Sequence, residues 1–99
     1  MSRPPLLSPG EVAVHLESLP GWVFSGGALR REFVFSDFPE AFGFMTRVAF
    51  AAEKLDHHPD WSNVWNRVTV ALSTHDAGGV TELDFQLAHV MQHLMKKTE

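Results

Sequence analysis

The chain has 99 residues, no cysteine, a formal charge of −4 at pH 7 and a 44% hydrophobic share. That length fits one domain over residues 1–99 with a single core, and the missing cysteine excludes disulfides, thiolate chemistry and Cys-based zinc sites. Scattered Lys and Arg under a net negative charge exclude a phosphate-backbone footprint, so no direct nucleic-acid contact is expected.

The first ten residues, MSRPPLLSPG, lack the apolar stretch of a signal peptide. No uninterrupted apolar run approaches the roughly 20 residues that cross a bilayer. A cytoplasmic protein with no membrane contact is the expectation. Ser8-Pro9-Gly10-Glu11 reads as a helix start, with Ser8 as cap, Pro9 at the first helical position and Glu11 completing a capping box. That helix should run to about Leu19, because Pro20 and Gly21 follow. WVF then reads as a short strand ended by Ser25-Gly26-Gly27, and ALRREFVF as its return strand.

Asp37-Phe38-Pro39-Glu40 repeats the capping signature. Phe38, Ala41, Phe42, Met45, Val48, Ala49, Ala52 and Leu55 then recur at helical spacing. This helix should stop near His57, since His58 precedes Pro59 and the residue before a proline is pushed out of the α region. Val68, Val70 and Leu72 alternate with polar or small residues, so WSNVW and RVTVALST form a second hairpin, with the turn or bulge between Asn63 and Arg67. Asp76 to Gly79 reads as loop. Thr81-Glu82-Leu83-Asp84 is a third capping signature, with Asp in place of Glu, ahead of an apolar stripe of Leu83, Leu87, Met91 and Leu94. The order α-β-β-α-β-β-α predicts an α+β fold, a four-stranded antiparallel sheet with three helices packed on one face.

Chemistry concentrates in EKLDHHPDW, from Glu53 to Trp61, and in STHD, from Ser73 to Asp76. Histidine as a residue type titrates near neutral pH, and a helix C-terminus favours a protonated imidazole, so the placement of His57, His58 and His75 suits proton transfer. Glu53 lies four residues before His57, on the same helical face, and is placed to orient it. Spacing alone leaves the bland reading open, a solvated pair of histidines at a helix end. A zinc reading draws on His57, His58, His75 and Asp84, but the three histidines show neither His-x3-His nor His-x-His spacing. His15, His89 and His93 read as surface or interface residues, Trp22 as core, and Trp61 and Trp65 as either a stacking platform or core and hairpin flank. GxSxG, phosphate-cradling and dinucleotide-binding patterns are absent.

With these residues in view, the chain resembles the pterin-4a-carbinolamine dehydratase family, whose animal form is also the dimerisation cofactor of a hepatocyte homeodomain transcription factor. The resemblance rests on Glu53, HHPDW, NVWNRVTVALSTHD and Asp84, with GW, REFVF and FPEAFGFMTRVA upstream, and spans residues 22–88. It implies dehydration of a 4a-hydroxytetrahydropterin to the quinonoid dihydropterin, recycling tetrahydrobiopterin for aromatic amino acid hydroxylases, with no metal and no redox cofactor. It also implies catalytic His57, His58 and His75: His57 and His75 as the acid/base pair, and His58 chiefly holding the pterin. Substrate contacts fall to Asp56, His57, His58, Ser73, Thr74 and His75, through side chains or backbone, with support from Glu53, Pro59, Trp61 and Asp84. A homodimer or homotetramer is implied. So are two alternative roles, a protein-interaction module for a transcription-factor partner and a part in molybdopterin metabolism. Trp65 stands where the family commonly has tyrosine.

Overall fold

The computed structural model describes residues 4–98. The outermost parts of the terminal segments read above, residues 1–3 and 99, lie outside the described residues. Three helices and four strands follow in the expected order: α1 (Pro9–Leu16), β1 (Val23–Ser25), β2 (Ala28–Val34), α2 (Phe38–Leu55), β3 (Asp60–Val64), β4 (Arg67–Leu72) and α3 (Glu82–Thr98). A single 3-10 turn, His75–Ala77, stands between β4 and α3 where loop was expected.

The strands form one antiparallel sheet in the order β1-β2-β4-β3. Gly26 and Gly27 both take positive φ, 59° and 76°. That backbone matches the twist of the two strands they join and carries no penalty without a Cβ. At the second hairpin the turn is Trp65-Asn66, between Val64 and Arg67. Trp65 takes φ 51° there, a conformation costly for a bulky side chain. Asn63 holds the turn by donating to Trp65 O (3.1 Å) and Arg67 O (2.8 Å), and Asn66 donates to Phe35 O at 2.9 Å.

One sheet face carries the core. Leu29, Phe33, Val68, Val70 and Leu72, alternate residues of the two central strands, are buried against Ala41, Phe44, Val48 and Ala52 of α2 and Leu87 and Met91 of α3. The Phe44 ring lies 4.9 Å from Phe33 and 5.0 Å from Phe35, and Trp22 packs edge-on to Phe33 at 5.8 Å. Trp22 is core, as read from the sequence, and its indole N–H donates to Gln92 Oε1, which also accepts from Arg31.

The buried stripe of α2 is Ala41, Phe44, Val48 and Ala52; Phe44 lies outside the set read from spacing, and only Ala41, Val48 and Ala52 of that set are fully buried. Phe38 and Phe42 face outward, their rings 5.7 Å apart, and Phe50 is 74% exposed. A helix with apolar residues on both sides does not reveal by period which side the sheet will cover.

Capping signals set the starts of the helices. Ser8 and Glu11 form the reciprocal capping box of α1. Asp37 accepts from Glu40 N, while Glu40 reaches Ser36 N instead of its cap. The end of α1 comes at Leu16, short of Leu19, because Glu17 and Leu19 bond to carbonyls three residues back and tighten the last turns.

Candidate active site

Helix α2 ends at Leu55, two residues before the stop expected from Pro59. Asp56 adopts the left-handed conformation (φ 51°, ψ 43°). Asp56 N–H bonds to Glu53 O at 3.1 Å and His57 N–H to Ala52 O at 3.0 Å, a Schellman ending. The left-handed residue, rather than the proline, turns the chain, and it takes His57 off the helical face it would have shared with Glu53.

The consequence is a change of partners. His57 is buried, 6% exposed, and its Nε2 lies 2.5 Å from Asp84 Oδ1 on α3. Glu53 pairs instead with His58, Oε1 to Nε2 at 2.9 Å, and both of those side chains are exposed. The inner pair is the consequential one. A buried charge without a partner is costly, whereas an exposed ion pair contributes about 0–1 kcal/mol.

Asp84 is completely buried at the first turn of α3, where the helix N-terminus favours a negative charge. Its Oδ2 accepts from Thr74 Oγ1 (2.9 Å), just past β4, and from Thr81 N (2.8 Å). Thr81 Oγ1 accepts Leu83 N–H at 3.2 Å, so the third capping signature is formed with Asp84 closing it. One carboxylate thus ties together the end of α2, the end of β4 and the start of α3.

Around this knot the other candidate residues are placed by their neighbours. Ser73 and His75 flank the anchored Thr74 and are exposed, with His75 opening the 3-10 turn. The backbone bond Thr74 N to Gly79 O (2.7 Å) and left-handed Gly78 (φ 79°) close that loop. Asp56 is exposed and Pro59 half-buried on either side of the histidine pair, and Trp61 is half-buried against the core. Trp65 is 64% exposed at the far end of the β3–β4 hairpin. A cleft of about 490 Å³ along the sheet meets this region only at Asp60 and Trp61 and is lined by none of the histidines.

Among the described residues no group of three or more His, Cys, Asp or Glu side chains is placed to hold a metal ion. His15 is half-buried against the Phe85 ring (4.9 Å), His89 Nε2 lies 3.5 Å from Ser18 Oγ, and His93 is exposed. Thr81 is the site residue that sequence reasoning passed over. Its capping signature was legible as a helix start, but not as a support for a histidine 24 positions earlier.

Fold and site together define a small antiparallel α+β domain with a buried imidazole–carboxylate pair beside two exposed imidazoles. The chain belongs to the pterin 4 alpha carbinolamine dehydratase family, whose model matches residues 5–94. It is 56% identical over 91 residues to a candidate pterin-4-alpha-carbinolamine dehydratase of Rhizobium meliloti (strain 1021), covering 90% of this chain and 88% of that one. A protein of the same name and standing from Chelativorans sp. (strain BNC1) is 58% identical over 83 residues, covering 82% and 85%. A solved structure, described as a transcriptional coactivator/pterin dehydratase from Brucella melitensis, superposes with a TM-score of 0.88 at 47% identity, covering 90% of this chain and 97% of that one.

Proposed function

We propose that this protein dehydrates a pterin 4a-carbinolamine, with His57 and His75 exchanging protons and His58 holding the pterin. In that reaction the bond from the ring carbon to its hydroxyl breaks, and the hydroxyl takes a proton and departs as water. The lone pair on the adjacent ring nitrogen closes a carbon–nitrogen double bond, and that nitrogen gives up its own proton. One acid and one base suffice, and imidazoles operating near neutral pH serve for both. Family membership supports the reaction. The observation that carries the role of His57 is its 2.5 Å bond to the buried, fully bonded Asp84, which orients the ring as an acid/base group requires.

Asp56, Ser73 and Thr74 supply substrate contacts in this reading. Because the Thr74 hydroxyl is committed to Asp84 and its backbone N–H to Gly79 O, its contact is one of packing rather than hydrogen bonding. Glu53 supports His58, and Pro59 and Trp61 shape the wall beside it. The product is the quinonoid dihydropterin, which a reductase returns to tetrahydropterin for aromatic amino acid hydroxylases; the site of action is the cytoplasm. The deciding experiment follows carbinolamine dehydration spectroscopically. His75→Ala is expected to lower kcat by roughly 10²–10⁴-fold, the range of a positioned acid/base group. An unchanged rate in that variant would remove His75 from the mechanism.

A second reading, an interaction module for a helical partner, is favoured by the coactivator description of the Brucella melitensis structure and by exposed Phe38, Phe42 and Phe50 on α2. The same face suits the homodimer or homotetramer that the family resemblance implies. Mixed assembly with a candidate helical segment, scored by native mass, separates this reading from a purely enzymatic one.

A further inference from the structure

The hydrogen bonds around Asp84 run in directions that leave no choice of donor. A carboxylate oxygen only accepts, so the Thr74 hydroxyl and the Thr81 N–H both donate to Oδ2. A hydroxyl has one proton to give, and that of Thr74 is spent on Asp84. The 2.7 Å contact between the two threonine hydroxyls is therefore donated by Thr81. Thr81 in turn accepts from Leu83 N–H. The result is a chain of donors from Leu83 N through Thr81 and Thr74 to Asp84, with Thr74, Thr81 and Asp84 at most 2% exposed and so free of competition from water.

With two donors on Oδ2, the Asp84 carboxyl group acts as an acceptor in this network. The remaining bond, from Oδ1 to His57, is then donated by the imidazole through Nε2–H. The other ring nitrogen, Nδ1, takes part in none of these bonds. It is not sealed off either, since no buried side-chain nitrogen or oxygen among the described residues lacks a partner.

We infer that Thr81 is a positioning residue for His57, acting through Thr74 and Asp84 to hold the Nε2–H tautomer and present Nδ1 as the nitrogen that gives or takes the proton. Only the use made of that proton rests on the dehydratase reading; the tautomer is a property of the folded chain. Donors to a carboxylate stabilise the more negative state of the Asp84–His57 pair. Removing one raises the apparent pKa of the pair, which a mere helix cap does not do. Asp84 is the titratable partner bonded to His57, and the nearby Glu53 of α2 is taken by His58.

The test is long-range ¹H–¹⁵N NMR of ¹⁵N-histidine-labelled protein in its native assembled form, across pH, on wild type, Thr81→Val, Thr74→Val and Thr81→Ser. Wild type is expected to carry its neutral-form proton on Nε2 of His57. Thr74→Val, which takes a donor from Asp84, should raise the pH at which His57 titrates by roughly 0.5–1 pH unit, the size of one lost hydrogen bond. Thr81→Val, which loosens the Thr74 hydroxyl but leaves both donors to Asp84, should raise it by less, while Thr81→Ser titrates as wild type. The acid limb of kcat/KM for carbinolamine dehydration should move upward in parallel. A wild-type spectrum with the proton on Nδ1 overturns the inference without any variant. Folded Val variants that are less heat-stable yet titrate as wild type also overturn it. If the titrations move as expected but no dehydration is measured, the wiring stands and the dehydratase reading is the part that fails.

Discussion

His57 and His75 answer differently to the same substitution, because one is a buried hydrogen-bond partner of Asp84 and the other an exposed loop residue. His57→Ala leaves a completely buried carboxylate without its imidazole and is expected to cost about 3–5 kcal/mol in denaturant unfolding. His75→Ala should leave the unfolding midpoint within about 0.5 kcal/mol of wild type, as exposed positions do. Loss of activity in His75→Ala is therefore attributable to chemistry, whereas in His57→Ala it mixes chemistry with folding. Equal unfolding midpoints for the two variants would contradict the buried pair.

Among the elements, the second hairpin and the first helix make separable predictions. Trp65 sits left-handed at a turn where glycine pays no steric penalty, and its side chain is 64% exposed. Trp65→Gly is expected to raise thermal stability by about 0.5–1 kcal/mol, provided Asn63 keeps its two bonds to the turn. A lowered melting temperature would show that the indole packs in a way its exposure does not suggest. In α1, the Ser8 backbone N–H and then its hydroxyl hold the Glu11 carboxyl below its ordinary value of 4.5. The folded value lies below the unfolded one, so the stabilisation is present above the ordinary carboxylate range and lost as pH falls through the lowered value. Glu11→Gln should flatten the acid side of the stability–pH curve, and Ser8→Ala should cost about 1 kcal/mol of helix capping.

At the scale of the whole molecule, the outward face of α2 carries Phe38, Phe42 and Phe50 at 46, 55 and 74% exposure. A small domain with that much aromatic surface is expected to assemble. Sedimentation should give a dimer or tetramer for wild type, and Phe42→Glu with Phe50→Glu should shift it to monomer while leaving the fold intact by circular dichroism. A wild-type monomer at micromolar concentration would set the assembly expectation aside.

What residue order alone determined is local. Capping signatures marked the starts of all three helices, period-2 alternation marked β4, and the glycine pair marked the first hairpin, because each depends on neighbours within a few positions. The histidines and Asp84 were also legible as candidate site residues. Which of them pair was not. Glu53 was the partner favoured by spacing, yet left-handed Asp56 ended α2 early and sent His57 to Asp84, 27 residues away. Likewise the apolar spacing of α2 did not say which face the sheet would cover, and Thr81 read only as a cap. These were decided by tertiary structure, because the direction of a buried hydrogen bond and the choice between two apolar faces depend on what the rest of the chain brings against them.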